Sequence, residues 1–179
     1  MSRTRDNSAA REERLAANMR VAELVKVVRF DPQTMTIDAQ PLVKSNIDGT
    51  AAAQPQLTGV PVASIAMGDF TIRPWYKKGD MGVIIVCDKD IDQALKGEVA
   101  EAATSRNHDL GDSIFIGGIC KDGKSPAGLP ENALVLAAGG TYLAISQEAV
   151  TISGDLIVNG ITMNTHTHTC PDGATSGPQ

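Results

Sequence analysis

The run Thr165-His166-Thr167-His168-Thr169-Cys170-Pro171-Asp172-Gly173 places two of the chain's three histidines two residues apart. On an extended strand, positions i and i+2 point to the same face, so both imidazoles would project together. A pair of neutral imidazoles on one face is the start of a metal site. Two ligands do not complete one, and the residues after His168 add only Cys170 and Asp172 as donors. Cys170 would share the face of His166 and His168 only if the strand continued, and Pro171 favours a turn there instead. The shortage points to other copies of the chain as the source of the missing ligands.

Other candidate residues read more plainly. Asp88, Asp90 and Asp92 are spaced like calcium ligands, but the glycine and distal glutamate of a helix-loop-helix site are missing; helix capping and solvated surface account for them better. His108, in Asn107-His108-Asp109, lies in a polar loop as a solvated or turn-stabilising histidine. Trp75 and Tyr76, flanked by Arg73, Lys77 and Lys78, could stack on nucleic acid. A net charge of −5 argues against a general phosphate-binding surface and favours a packing or subunit-contact role. No nucleophile–base pair stands out, and the chain reads as a non-enzyme. The single-chain metal enzymes that use His-x-His pairs fit poorly. Cupin-like sites draw further ligands from later barrel strands, and amidohydrolase-like pairs need a barrel downstream. The metallo-β-lactamase pattern needs Asp and His where Cys170 and Pro171 stand.

Elements that must position the histidines follow from the patterning. Residues 1–19 are Arg-, Glu- and Ala-rich, with a short helix expected from Ser8 to Met19. From Arg20 the pattern turns to strands. Val21 to Val28 leads into Asp31-Pro32-Gln33-Thr34, suited to a type I turn, and Thr34 to Ala39 returns as an alternating strand. Residues 44–59, rich in Gly, Ala, Gln and Pro, predict a long loop. Val60-Pro61-Val62 and Phe70-Thr71-Ile72 predict short strands, and the apolar run Met81 to Cys87 a central one. Asp88 to Ala103 predicts a helical turn and a connection, capped by Asp90 or Asp92, and Ser113 to Ile119 closes the set. Strands without regular helices between them predict a small antiparallel barrel.

Residues 121–132 read as a linker, centred on Lys121 to Pro130, and the rhythm changes beyond it. Tyr142 is the only aromatic residue after Phe115, and from Ala133 to Thr169 the only formal charges are Glu148 and Asp155. Val150, Ile152, Gly154, Leu156 and Val158 share one parity; Ile161, Met163 and Thr165 resume after a slip at Gly160, as a bulge or corner would give. Such a segment has too few bulky side chains to close a core alone, and its unpaired strand edges invite intermolecular pairing. An intertwined trimeric β-stalk is expected. Three cysteines, Cys87, Cys120 and Cys170, leave one unpaired and suggest free thiols from a reducing origin. Neither a signal segment nor a membrane-spanning run is expected.

The order of these parts resembles the central-spike family of contractile phage tails, the membrane-piercing baseplate proteins. For the barrel the resemblance rests on Gly59-Val60-Pro61-Val62, on Lys78 to Asp92, and on Arg106 to Phe115. For the tip it rests on Thr165-His166-Thr167-His168 and the tail from Cys170 to Gln179. It implies an all-β chain: a charged segment at 1–19, an OB-like antiparallel barrel at 20–120 and a linker at 121–132. An intertwined trimeric β-helix would follow at 133–164, ending in a metal-bound tip at 165–179. It implies that His166 and His168 of three chains converge on one axis and ligate a single iron ion (Fe2+), one per trimer. Six imidazoles suit an octahedral-tolerant metal better than zinc, which prefers four ligands; another divalent ion is the alternative. The implied partners are two further copies, the tail hub and baseplate proteins, and the host outer membrane as mechanical target, with no nucleic acid. The implied location is the virion, at the tip of the tail baseplate, after synthesis in the host cytoplasm. The implied function is piercing of the outer membrane during sheath contraction. An OB-like trimeric connector in a tail or phage-derived injection machine, without a piercing role, is the alternative.

Overall fold

The structure is a computed structural model that describes residues 19–47, 49–171 and 173–174. The short helix expected from Ser8 lies outside them except for Met19, as do Asp172 and the last five residues of the expected tip. Among the described residues the chain is all-β, its helical pieces being single 3-10 turns at Ala94–Lys96 and Lys121–Gly123. It divides into two compact units, one ending at Gly123 and the other beginning at Lys124.

The first unit is built on a curled half-barrel sheet. Strand β1 (Ala22–Asp31) turns through Pro32 to Met35 into β2 (Thr36–Pro41). The turn is held by Asp31 Oδ1, which accepts the N–H groups of Gln33 and Thr34, a local bond that favours Asp at this position. The hairpin β3 (Ser45–Ile47) and β4 (Thr50–Ala52) follows, then β5 (Leu57–Pro61). The expected loop over 44–59 is therefore a small hairpin feeding a strand. Buried Gln54 holds this crossing in place: its side chain accepts from Arg20 and donates to Glu23 and the Val43 carbonyl. A satisfied polar group here replaces the apolar signal that a strand normally shows.

A ribbon of β6 (Ile65–Met67) and β7 (Phe70–Ile72) precedes β8 (Met81–Val86) and β9 (Ser113–Ile119). The five-stranded sheet runs β5-β2-β1-β8-β9, every pair antiparallel. Its two edges meet where Val62 forms a parallel bridge with Phe115, and the Ala63 N–H donates to the Phe115 carbonyl at 2.9 Å. Val25, Val27, Ile37, Ala39, Val60, Ile84, Val86 and Phe115 fill the concave side, as alternation on a one-sided sheet requires. Gly82 and Gly117 face each other across β8 and β9. The space they leave is taken by the rings of Phe115 and Tyr76, packed edge to face at 5.2 Å, with Phe30 and Trp75 continuing the chain of aromatics.

The convex side breaks the alternation. Cross-strand pairing aligns Ala22, Ile85 and Ile114 in one row and Leu24, Val83 and Ile116 in the next. An antiparallel sheet with one solvated face normally puts polar residues there.

The second unit opens with a three-stranded antiparallel sheet, β10 (Leu134–Ala138), β11 (Thr141–Ile145) and β12 (Val150–Ser153). Gly139, with φ +63, turns the first hairpin. The Ser146 hydroxyl caps the second by accepting the N–H groups of Glu148 and Ala149. The registers stack Leu134, Ile145 and Val150 in one rung and Leu136, Leu143 and Ile152 in the next, all on one face. The expected alternation over 150–165 is interrupted twice. Gly154, at φ +94, ends β12, and Asn159-Gly160, both at positive φ, turns β13 (Ile157–Val158) back into β14 (Ile161–Thr162). What alternation alone reads as a parity slip is a two-residue hairpin, the turn that an Asn-Gly pair favours. The last pairing is β15 (Thr169–Cys170) with β16 (Gly173–Ala174).

Candidate functional site

Two places gather side chains of the ligand type. The first is on the excursion between β8 and β9, which leaves and re-enters the sheet at one point: the Cys87 N–H donates to the Asp112 carbonyl at 2.8 Å. Inside that loop Asp90, Asp92 and Asp112 bring carboxylate oxygens within 4.8 Å of one another. A cation already lies among them. Arg106 donates through Nε and Nη2 to the two oxygens of Asp112, each at 3.0 Å, and its Nη2 lies 3.2 Å from Asp90. A planar guanidinium fork on a carboxylate is the strong form of this contact. Asp90 also accepts from the Thr104 hydroxyl at 2.7 Å and the Asp92 N–H at 3.0 Å. These bonds, Thr104 first, hold its carboxyl below the usual range, and the Asp112 contact raises the Arg106 guanidinium.

Asp90 and Asp112 are thus buried members of an ion cluster, not solvated surface or helix caps. The short turn at Ala94–Lys96 begins after Gln93 with no side-chain cap. Sequence reading missed Arg106 because its partners lie six and sixteen residues away across an irregular loop, where no periodicity connects them. His108, on the same excursion, is half-buried at φ +49, with Nδ1 3.7 Å from an Asp88 oxygen. Cys87 is partly buried, and burial, ahead of the nearby Asp112 and Asp88, pushes its thiol up, away from a reactive thiolate. Tyr76 packs against the core, and Trp75, 63% exposed, meets Phe30 edge-on.

The second place is the histidine pair. His166 and His168 do come together, with ring centroids 5.1 Å apart and planes at 86°. They lie between two strands, after a turn that closes on the His166 N–H. β14 ends at Thr162, whose carbonyl accepts the N–H groups of Thr165 at 3.3 Å and His166 at 3.0 Å. The turn is tied to the preceding hairpin by the Met163 N–H on the Leu156 carbonyl at 2.8 Å, and by the Asn164 amide on Asp155 at 3.3 Å. His166 Nδ1 lies 2.8 Å from the Met163 carbonyl. A carbonyl can only accept, so Nδ1 carries a proton, which in the neutral imidazole leaves the lone pair on Nε2. Orientation of an imidazole by a backbone carbonyl on its far nitrogen is the usual support of a metal-ligating histidine. The donor chemistry of this pair fits a transition metal, and His166 and His168 are the residues that would hold it. Cys170 lies on β15, beyond the turn, and Asp172 lies outside the described residues.

Residues 25–118 match the model of a family described as the phage protein Gp138 N-terminal domain. The matched stretch is just over half of the chain and runs from within β1 to the penultimate residue of β9, the span of the five-stranded sheet. No curated protein matches the chain. The histidine pair and the aliphatic rungs lie outside the matched residues.

Proposed function

Because the chain belongs to the phage protein Gp138 N-terminal domain family, we propose that it is a trimeric tail-tip spike that pierces the host outer membrane as a contractile sheath drives it forward. One observation carries this reading: the aliphatic face of the β10–β12 sheet. Its two rungs are open to solvent in the single chain, with Leu134 66% and Val150 64% exposed. Among the described residues of this unit, only Ala144 is a buried apolar residue. Burying a large aliphatic side chain contributes about 1.5–3 kcal/mol, so six half-exposed ones leave roughly 5–10 kcal/mol per chain unrealised. Three copies turned toward a common axis would cover these faces in a closed assembly.

In the first unit, the strand order and the parallel bridge between Val62 and Phe115 match the connectivity of a five-stranded OB barrel. We read it as the collar that docks on the tail hub. In the second unit His166 and His168 of each copy would hold one shared iron ion. Bound there, the metal supplies a cross-link between three chain ends that would otherwise fray first. The chain's own residues do the preparatory work. Met163 orients the ring of His166, and Asn164 ties the turn to Asp155. The role is mechanical, with no covalent step.

Native mass spectrometry tests the reading. We expect three times the chain mass for the wild type, and the single-chain mass for Leu143→Asp, which puts a charge in the middle of a rung. A wild-type monomer at micromolar concentration would refute it. A trimer that leaves dye-loaded outer-membrane vesicles intact would instead assign the chain a connector role.

A further inference from the structure

The barrel unit carries two apolar surfaces of its own. One is the β6–β7 ribbon, whose strands pair with each other and with no strand of the five-stranded sheet. Its register sets Ile65 opposite Ile72 and Met67 opposite Phe70 on a single face, and Phe70 is 78% exposed. A two-stranded ribbon is marginal without something packed on that face. The other is the convex side of β1, β8 and β9, with its two apolar rows. A third row, Lys26, Met81 and Ile119, extends it. Clustered exposed apolar side chains of this kind mark interaction sites more often than solvated surface.

The charges choose the pairing. Asp69, at the ribbon tip, is the only formal charge from Ile65 to Ile72, and Lys26 is the only one in the three convex rows. Ribbon on ribbon would oppose two carboxylates, and convex face on convex face two ammonium groups. Ribbon on convex face pairs opposite charges and buries both apolar surfaces. We propose that each barrel lays its β6–β7 ribbon across the β1–β8–β9 face of a second copy. Such a contact is heterologous, and repeated around an axis it closes into a ring. A cleft of about 230 Å3 beside Ile116, between the ribbon root and β9, gives the incoming Phe70 a place to seat. The inference rests on the trimer reading above and adds a collar contact that strengthens the trimer without sustaining it alone.

Cross-linking tests it in the full chain. Met67→Cys is combined with Val83→Cys in a background where Cys87, Cys120 and Cys170 are serine. Oxidation should convert more than half of the chains to covalent dimers and trimers, and each single-cysteine variant fewer than a tenth. Charge reversal gives a second readout for chains that fold poorly as cysteine variants. Asp69→Lys and Lys26→Asp should each raise the trimer's dissociation constant several-fold, and the double variant should return to within twofold of wild type. A trimer by mass that forms no cross-links and shows additive charge effects overturns the collar interface alone. A monomer by mass overturns the trimer reading with it.

Discussion

Substituting Gly82 by Ala should unfold the barrel unit more readily than any exposed substitution, and the size of the effect follows from the packing. A β-carbon at this position would stand 2.5 Å from the Ile116 carbonyl oxygen and 2.5 Å from Cζ of the Phe115 ring. The ring is fully buried and wedged against Tyr76, so it cannot swing aside without moving a second aromatic. The carbonyl belongs to β9, which pairs with β8 at this point, so it cannot retreat without breaking the ladder. Overpacking of a tight core costs about 1–3 kcal/mol, and a site where neither neighbour yields lies at the upper end. The entropy that alanine removes from the unfolded chain offsets about 0.4–1 kcal/mol. The net loss is roughly 2 kcal/mol, a fall in melting temperature on the order of 10 °C for a unit of this size. Urea unfolding followed through the single tryptophan, Trp75, reads it directly. Phe115→Leu should recover part of the loss in the Gly82→Ala background while destabilising the wild type, because the two substitutions compete for one volume. If Gly82→Ala unfolds within about 0.5 kcal/mol of wild type, the aromatic wedge between β8 and β9 is not what fills the glycine pair.

Two further outcomes are expected. Replacing both His166 and His168 by Ala should remove bound transition metal, measured by elemental analysis of the purified protein, while native mass leaves the trimer unchanged. Acidification should destabilise the barrel unit. The carboxyls of Asp38 and Asp31 are held below their usual range, Asp38 chiefly by its hydrogen bond from Arg29 and Asp31 by the Gln33 and Thr34 N–H groups. A carboxyl with a lowered folded-state value contributes its stability above the unfolded value, near pH 4, and loses it as pH falls through the folded one. Melting temperature should therefore drop below about pH 4, and Asp38→Asn should be lower than wild type at pH 7 but flatter across that window.

Much of the first unit was legible because its strands obey simple rules. Val25, Val27, Ile37, Ala39, Ile84 and Phe115 alternate with outward residues or sit in continuous apolar runs, and all are in the core. The hairpin after Pro41 was not legible. Its strands are built of Ser, Asn, Thr and Ala, and the crossing beside it is secured by the Gln54 amide in place of apolar burial. The excursion after β8 was legible in its helical turn and in the solvated Asp88 and Asp92, but its buried ion cluster was not, for a related reason. Charged residues usually mean solvent, and the sequence gives no sign that Arg106 folds back onto Asp90 and Asp112. In the second unit, alternation across 150–165 hid the Asn159-Gly160 turn, a signal present in the sequence but outweighed by the period-2 pattern. The nearness of the two imidazoles was correctly anticipated from a spacing of two, although they lie between two strands, after a backbone turn. Spacing constrains distance more firmly than it constrains conformation.

The pinned excursion between Cys87 and Asp112 has a consequence for how such chains diversify. Because its two ends are joined by one backbone hydrogen bond and its interior is gathered on one arginine, the sheet does not register how much polypeptide lies between. Lengthening a closed loop costs only with the logarithm of its size. Related barrels can therefore exchange this segment for longer or shorter ones, changing what the surface offers without retuning the core beneath.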